Sequence, residues 1–96
     1  MVLENNYIGG QFPNELHQFK NLTHLSLQNN SISGPIPMSI ERLSSLAMLD
    51  LSYNHLNGTL PESLWLLAKL ESLDLSYNHL NGTLPKSLGK FGMLTI

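Results

Sequence analysis

The 96-residue chain contains no cysteine. Disulfides, thiolate nucleophiles and sulfur-ligated metals are thereby excluded, and thiol usage leaves the redox compartment undecided. Charge is scarce as well: five Lys and Arg stand against seven Asp and Glu, for a formal net of −2 and an isoelectric point near 6.0. Nothing in that balance attracts nucleic acid or an anionic membrane surface, so neither is expected as a partner. Long apolar runs are missing too. The longest is five residues, 64–68, where a membrane-spanning helix needs about 20, so no span is expected in this chain. The opening MVLENNYIGG has neither a basic leader nor an apolar stretch of about seven residues, so no secretory signal is expected within it. A chain of this length holds one domain with a modest core.

What the chain does have is a period. Residues 49–61 and 73–85 are the same 13 letters, LDLSYNHLNGTLP, 24 positions apart. Sliding the sequence by that distance gives full units at 22–45, 46–69 and 70–93, with a partial unit at 1–21 and the start of another at 94–96. Each unit reads L-x-x-L-x-L-x-x-N-x-L/I-x-G-x-L/I-P. Self-similarity at such a period marks a solenoid, in which a unit buries its apolar face only by stacking on its neighbours. The pattern resembles the leucine-rich repeat. Its length and G-x-L/I-P continuation are similar to the plant-type subclass, found in the ectodomains of plant receptor-like proteins and receptor-like kinases. The resemblance implies an α/β repeat solenoid, a coil with a parallel concave β-sheet and short helical or 3-10 segments on the outer side.

Each position of the unit has a physical reason. Leu25 and Leu27, Leu49 and Leu51, and Leu73 and Leu75 alternate with polar residues, the period of a strand with one buried face. Asn6, Asn30, Asn54 and Asn78 stand where the strand must bend inward, and a carboxamide can pair backbone groups the bend leaves open, a structural role. Gly10, Gly34, Gly58 and Gly82 permit backbone geometry that a side chain would obstruct. Pro13, Pro37, Pro61 and Pro85 suit the start of a short helical segment. Leu16, Ile40, Leu64 and Leu88, followed by Phe19, Leu43, Leu67 and Phe91, are expected to wall the core on the outer side.

Chemistry has few candidates. Asp50 and Asp74 face outward on adjacent strands as a carboxylate pair, but no cleft or second functional group accompanies them. His55 and His79 stack at a turn position without a third ligand, while His17 and His24 fall elsewhere in the unit, so no metal is expected. No nucleophile elbow, phosphate loop or kinase-type Gly-rich loop occurs. The chain is therefore expected to be no enzyme and to need no cofactor. Asn21, Asn29, Asn57 and Asn81 begin N-x-S/T sequons, which favours a glycosylated, extracellular context; Asn57 and Asn81 are expected on the turn after the inner strand. Trp65 is either an interface residue or part of the outer wall beside Leu66.

Binding information is expected on the outward face of the sheet, at Thr23, His24, Ser26, Gln28 and Asn29 in one unit. Ala47, Met48, Asp50, Ser52 and Tyr53 follow in the next, then Glu71, Ser72, Asp74, Ser76 and Tyr77. Residues identical in successive units form a platform, whereas those that change can mark a place along the coil. Thr23, His24, Ser26, Gln28, Ala47, Met48, Glu71 and Ser72 are thus the discriminating set. The resemblance implies a binding module for a protein or peptide ligand, with a co-receptor as a further partner. It points to an extracellular fragment of a plant receptor-like protein or kinase acting in defence or development, with the parent anchored at the plasma membrane. A secreted polygalacturonase-inhibitor-like protein is the alternative. An intracellular scaffold accords with the missing cysteines and signal, while the G-x-L/I-P phrase and the sequons oppose it. Met1 enters and Ile96 leaves midway through strand phrases, so an internal fragment or truncated product is expected, marginally stable or self-associating when isolated.

Overall fold

A computed structural model describes residues 9–12, 18–81 and 93–95. Within them the strands are β1 (His24–Ser26), β2 (Ser33–Gly34), β3 (Met48–Asp50), β4 (His55–Thr59), β5 (Ser72–Asp74), β6 (His79–Asn81) and β7 (Met93–Thr95). All pairings are parallel, as one coil per unit requires. The sheet expected from the Leu alternation has the order β1-β3-β5-β7. In it His24, Leu25 and Ser26 pair with Met48, Leu49 and Asp50, and those with Ser72, Leu73 and Asp74. Backbone bonds carry the ladder past the strand ends, from Leu27 N–H to the Asp50 carbonyl and from Leu51 N–H to the Asp74 carbonyl, each 2.9 Å.

The last pairing departs from the period. Leu73 lies beside Leu94 rather than Leu94 continuing the stack of Leu70, so β5 and β7 are offset by 21 residues (94 − 73) where β3 and β5 are offset by 24 (73 − 49).

A second parallel sheet, β2-β4-β6, corrects the expectation of a turn after the first strand. His55, Asn57, His79 and Asn81 are strand residues within it. H-L-N-G-T alternates correctly for a strand: Leu56 is buried while His55, Asn57 and Thr59 are exposed. The Asn-Gly pair reads locally as a turn, but stacked units supply the ladder that a lone segment lacks. Gly58 holds a left-handed φ of +79°, with only Pro35 Cβ at 3.8 Å from where its own Cβ would stand. Backbone conformation, not space, therefore demands glycine there.

The outer side is built from 3-10 segments at Met38–Arg42 and Glu62–Leu66, each preceded by an extended proline, Pro37 or Pro61. Ile40, Leu43, Leu64 and Leu67 are at most 1% exposed and join the strand leucines in one core. Phe19, expected beside them, is 44% exposed. Leu16, Leu88 and Phe91 lie outside the described residues, as do Pro13, Gly82 and Pro85. Trp65 packs partly buried against the core, while Leu66 points outward at 69% exposure.

The asparagine stack ties the coils together. Asn54 Oδ1 accepts from the Asn30 and Ile32 N–H groups at 3.0 and 3.1 Å. Its Nδ2 reaches the carbonyls of Leu27, Leu51 and Ser52 at 3.0, 2.9 and 3.1 Å. Asn78 repeats the arrangement one coil on, accepting from Leu56 N–H at 3.0 Å and donating to the Leu51, Leu75 and Ser76 carbonyls. Asn30 donates to the Gln28 carbonyl at 3.2 Å; Asn6 lies outside the described residues. Stranding two buried N–H groups is costly, so Asn54→Ala is expected to destabilise the fold by about 2–5 kcal/mol in urea denaturation. Ser63 offers the contrast: its buried hydroxyl has no hydrogen-bond partner among the described residues. Ser63→Ala is expected to leave stability unchanged or raise it by up to about 1 kcal/mol in the same assay.

Candidate functional site

The outward face of β1, β3 and β5 sorts the expected contact residues by depth. Thr23, His24 and Glu71 are exposed; Gln28, Ala47, Met48 and Ser72 are half-buried. Ser26 and Ser52, expected as contact residues, are buried at 4% and 2% exposure. A serine is too short to rise beside its neighbours: Ser26 lies in register with Asp50, and Ser52 is drawn under the same carboxylate. Asp50 Oδ1 accepts from the Ser52 N–H at 3.0 Å and from its hydroxyl at 2.6 Å. Asp74 and Ser76 repeat this pair at the same distances. These carboxylates close the chain onto itself at the strand end, a local side-chain turn, which is a structural use of the D-L-S phrase.

At the entrance to the strands lies a groove of about 510 Å³, lined by residues that include Thr23, Ser45, Ala47, Lys69 and Glu71. It draws on three consecutive units. The Thr23 carbonyl accepts from Ala47 and Met48 N–H at 2.7 and 3.0 Å, and the Ala47 carbonyl accepts from Glu71 and Ser72 N–H at 2.8 and 3.1 Å. The groove's backbone is thus fixed by the ladder, and only its side chains vary.

At the opposite end of the strands, Tyr53 and Tyr77 leave the sheet in left-handed conformations with φ of 56° and 57°. Their rings stack 4.3 Å apart and within 10° of parallel. His55 and His79 form a second parallel pair, 6.2 Å apart. With Asn29 and Ser31 these four side chains line a smaller groove of about 270 Å³. It joins the strand end to the second sheet, and it was hidden in the sequence because H-L-N-G-T reads as a turn. The one available signal was its period-2 alternation. Among the described residues, no group of three or more His, Cys, Asp or Glu is placed to hold a metal. The sequon residues Asn21, Asn29, Asn57 and Asn81 are all exposed.

The Tyr53 phenol is held above its ordinary 10.0, first by its hydrogen bond with Tyr77, then by desolvation and by the charges of Tyr77 and Asp74. Such a group stabilises the fold fully below 10.0 and loses its contribution as pH rises through the raised value.

Repeated coils, two parallel sheets and an asparagine-tied interior define a leucine-rich repeat protein. The leucine-rich repeat family model matches residues 20–80, and the chain belongs to that family. No curated relative matches the sequence. Among solved structures, the ectodomain of GASSHO1/SCHENGEN3 is 40% identical. It belongs to a plant membrane receptor kinase from Arabidopsis thaliana, solved in complex with CASPARIAN STRIP INTEGRITY FACTOR 2. It superposes with a TM-score of 0.85 over 92% of this chain and 11% of that one. The BIR2 ectodomain from Arabidopsis thaliana is 36% identical, with a TM-score of 0.88 over 96% and 50% of the two chains. A plant ice-binding protein is also 36% identical, at 0.85 over 95% and 30%. The chain spans from about a tenth to half of these proteins' lengths. No helix among the described residues is long and apolar enough to cross a membrane.

Titration of the Tyr53 ring resonances is expected to place its phenol above 10.0, and Tyr77→Phe should bring it back toward that value. An unchanged titration in the variant would show that Tyr77 is not the cause.

Proposed function

We propose that this chain is a protein- or peptide-binding segment of an extracellular plant leucine-rich repeat receptor-like protein or kinase. In this reading it perceives a ligand in defence or development, with a co-receptor engaged alongside. The observation that carries the reading is the groove of about 510 Å³, in which Thr23, Ala47 and Glu71 come from corresponding positions of successive units and differ in each. A fixed backbone ladder with varied side chains is the arrangement a coil needs to read a partner at a defined place. Met48, Ser72, His24 and Gln28 extend the reading surface along the sheet. Support comes also from similar structures: the plant peptide hormone receptor RGFR1 in complex with RGF2 is 38% identical over 93% of this chain. Burial of Ser26 and Ser52 removes them from the surface, and Tyr53 and Tyr77 line a different groove.

The test is selection of a random peptide library against the protein. Selected peptides are expected to bind about tenfold more weakly to Glu71→Arg or Met48→Glu, and equally to Met38→Glu on the outer side. Binding that survives both sheet-face variants and fails with Met38→Glu would overturn the reading. Extracellular placement predicts sugar on the exposed sequons, so the secreted protein should gain mobility on glycosidase treatment, and Asn57→Gln should remove part of that shift.

A further inference from the structure

The aromatic column at the strand ends is interrupted at one step. Tyr77 covers one face of the Tyr53 ring at 4.3 Å. On the other side the corresponding residue of the preceding unit is Asn29, whose side chain is smaller than a tyrosine ring, and Tyr53 remains 47% exposed. Asn29 has the same left-handed backbone, φ 58°, and asparagine tolerates that conformation far better than tyrosine does. Tyrosine at 53 therefore gains nothing from its backbone, and its ring must be accounted for by what it contacts. Around the step stand the side chains of Asn29, Ser31 and His55. They bring an amide, a hydroxyl and an imidazole beside an aromatic face, with no carboxylate or Lys or Arg among the groove's lining residues.

We propose that this step is a subsite for a neutral sugar ring. The C–H face of a pyranose packs on Tyr53 while its hydroxyls meet Asn29, Ser31 and His55. An anionic ligand would find no Lys or Arg in the lining, whereas a sugar uses both the apolar plane and the mixed donors and acceptors. The groove of about 270 Å³ falls below the ~300–1,000 Å³ of pockets for larger ligands, which suits one ring rather than an extended chain. That ring has two sources, a free oligosaccharide or the first sugar of a glycan attached at Asn29, whose sequon ends in Ser31 itself. The proposal does not rest on the peptide-binding reading, which concerns the other end of the strands.

The test follows the ring resonances of Tyr53 and His55 by NMR. In protein made without glycosylation, titration with N,N′-diacetylchitobiose or cellotetraose is expected to shift both. Tyr53→Asn, which keeps a residue suited to the left-handed backbone, should weaken binding about threefold to tenfold, with amide resonances elsewhere unchanged. Tyr77→Asn leaves the Asn29-facing side intact and should weaken it less. In protein from a glycosylating host, the same shifts without added sugar, abolished by Asn29→Gln, would assign the subsite to the attached glycan. Shifts that need added sugar would assign it to a free one. Rings that respond in neither form, or equal affinity in Tyr53→Asn, would overturn the proposal.

Discussion

The Asn54 carboxamide takes two backbone N–H groups of the preceding coil and gives its own hydrogens to carbonyls on both coils. Most of what distinguishes this molecule depends on that interaction. Stacked coils leave backbone polar groups pointing into an apolar interior wherever the strand bends, and each would be costly unpaired. One amide, with an acceptor and two donors, closes the gap without a charge. To aim it inward, the chain reverses at the residue before, and Asn29, Tyr53 and Tyr77 take up left-handed φ values there. Even so, Asn29 and Tyr53 keep their N–H groups in the ladder, bonded to the Ser52 and Ser76 carbonyls at 3.1 Å. The bend and the ladder are one device.

That device sets what the surface can do. Side chains at fixed points of each coil are committed: leucines to the core, Asp50 and Asp74 to their serines, glycines to the second sheet's geometry. Freedom remains at two places, the entrance to the strands and the exit. At the entrance, Thr23, Ala47 and Glu71 succeed one another over a fixed backbone. At the exit, identical tyrosines and histidines stack, and the changes to Asn29 and Ser31 in the preceding unit create a step. In general, a frame that is ordered before binding lowers the entropic cost of recognition by the side chains it carries.

The concave-type strands, the asparagine ties and the outer 3-10 segments were legible because each is a local pattern copied in register. Leu25, Leu49 and Leu73 announce the first sheet by alternation, and Pro37 and Pro61 announce the segments that follow them. The second sheet was not legible. Asn57-Gly58 carries a strong turn signal, and only neighbours paired by stacking make it a strand. Exposure was legible in parity but not in depth: Ser26 and Ser52 face the right way, yet short side chains between taller ones are covered.

By itself, then, the sequence determined the coil, its period and the interior stack, since those follow from which residues recur and how often. The tertiary structure decided the register of β7, the burial of the two serines and the meeting of Tyr53, Asn29, Ser31 and His55 in one groove. The reason is physical. Recurrence fixes what a coil must bury, but depth and proximity depend on the neighbouring coil's side chains, and no single unit contains that information.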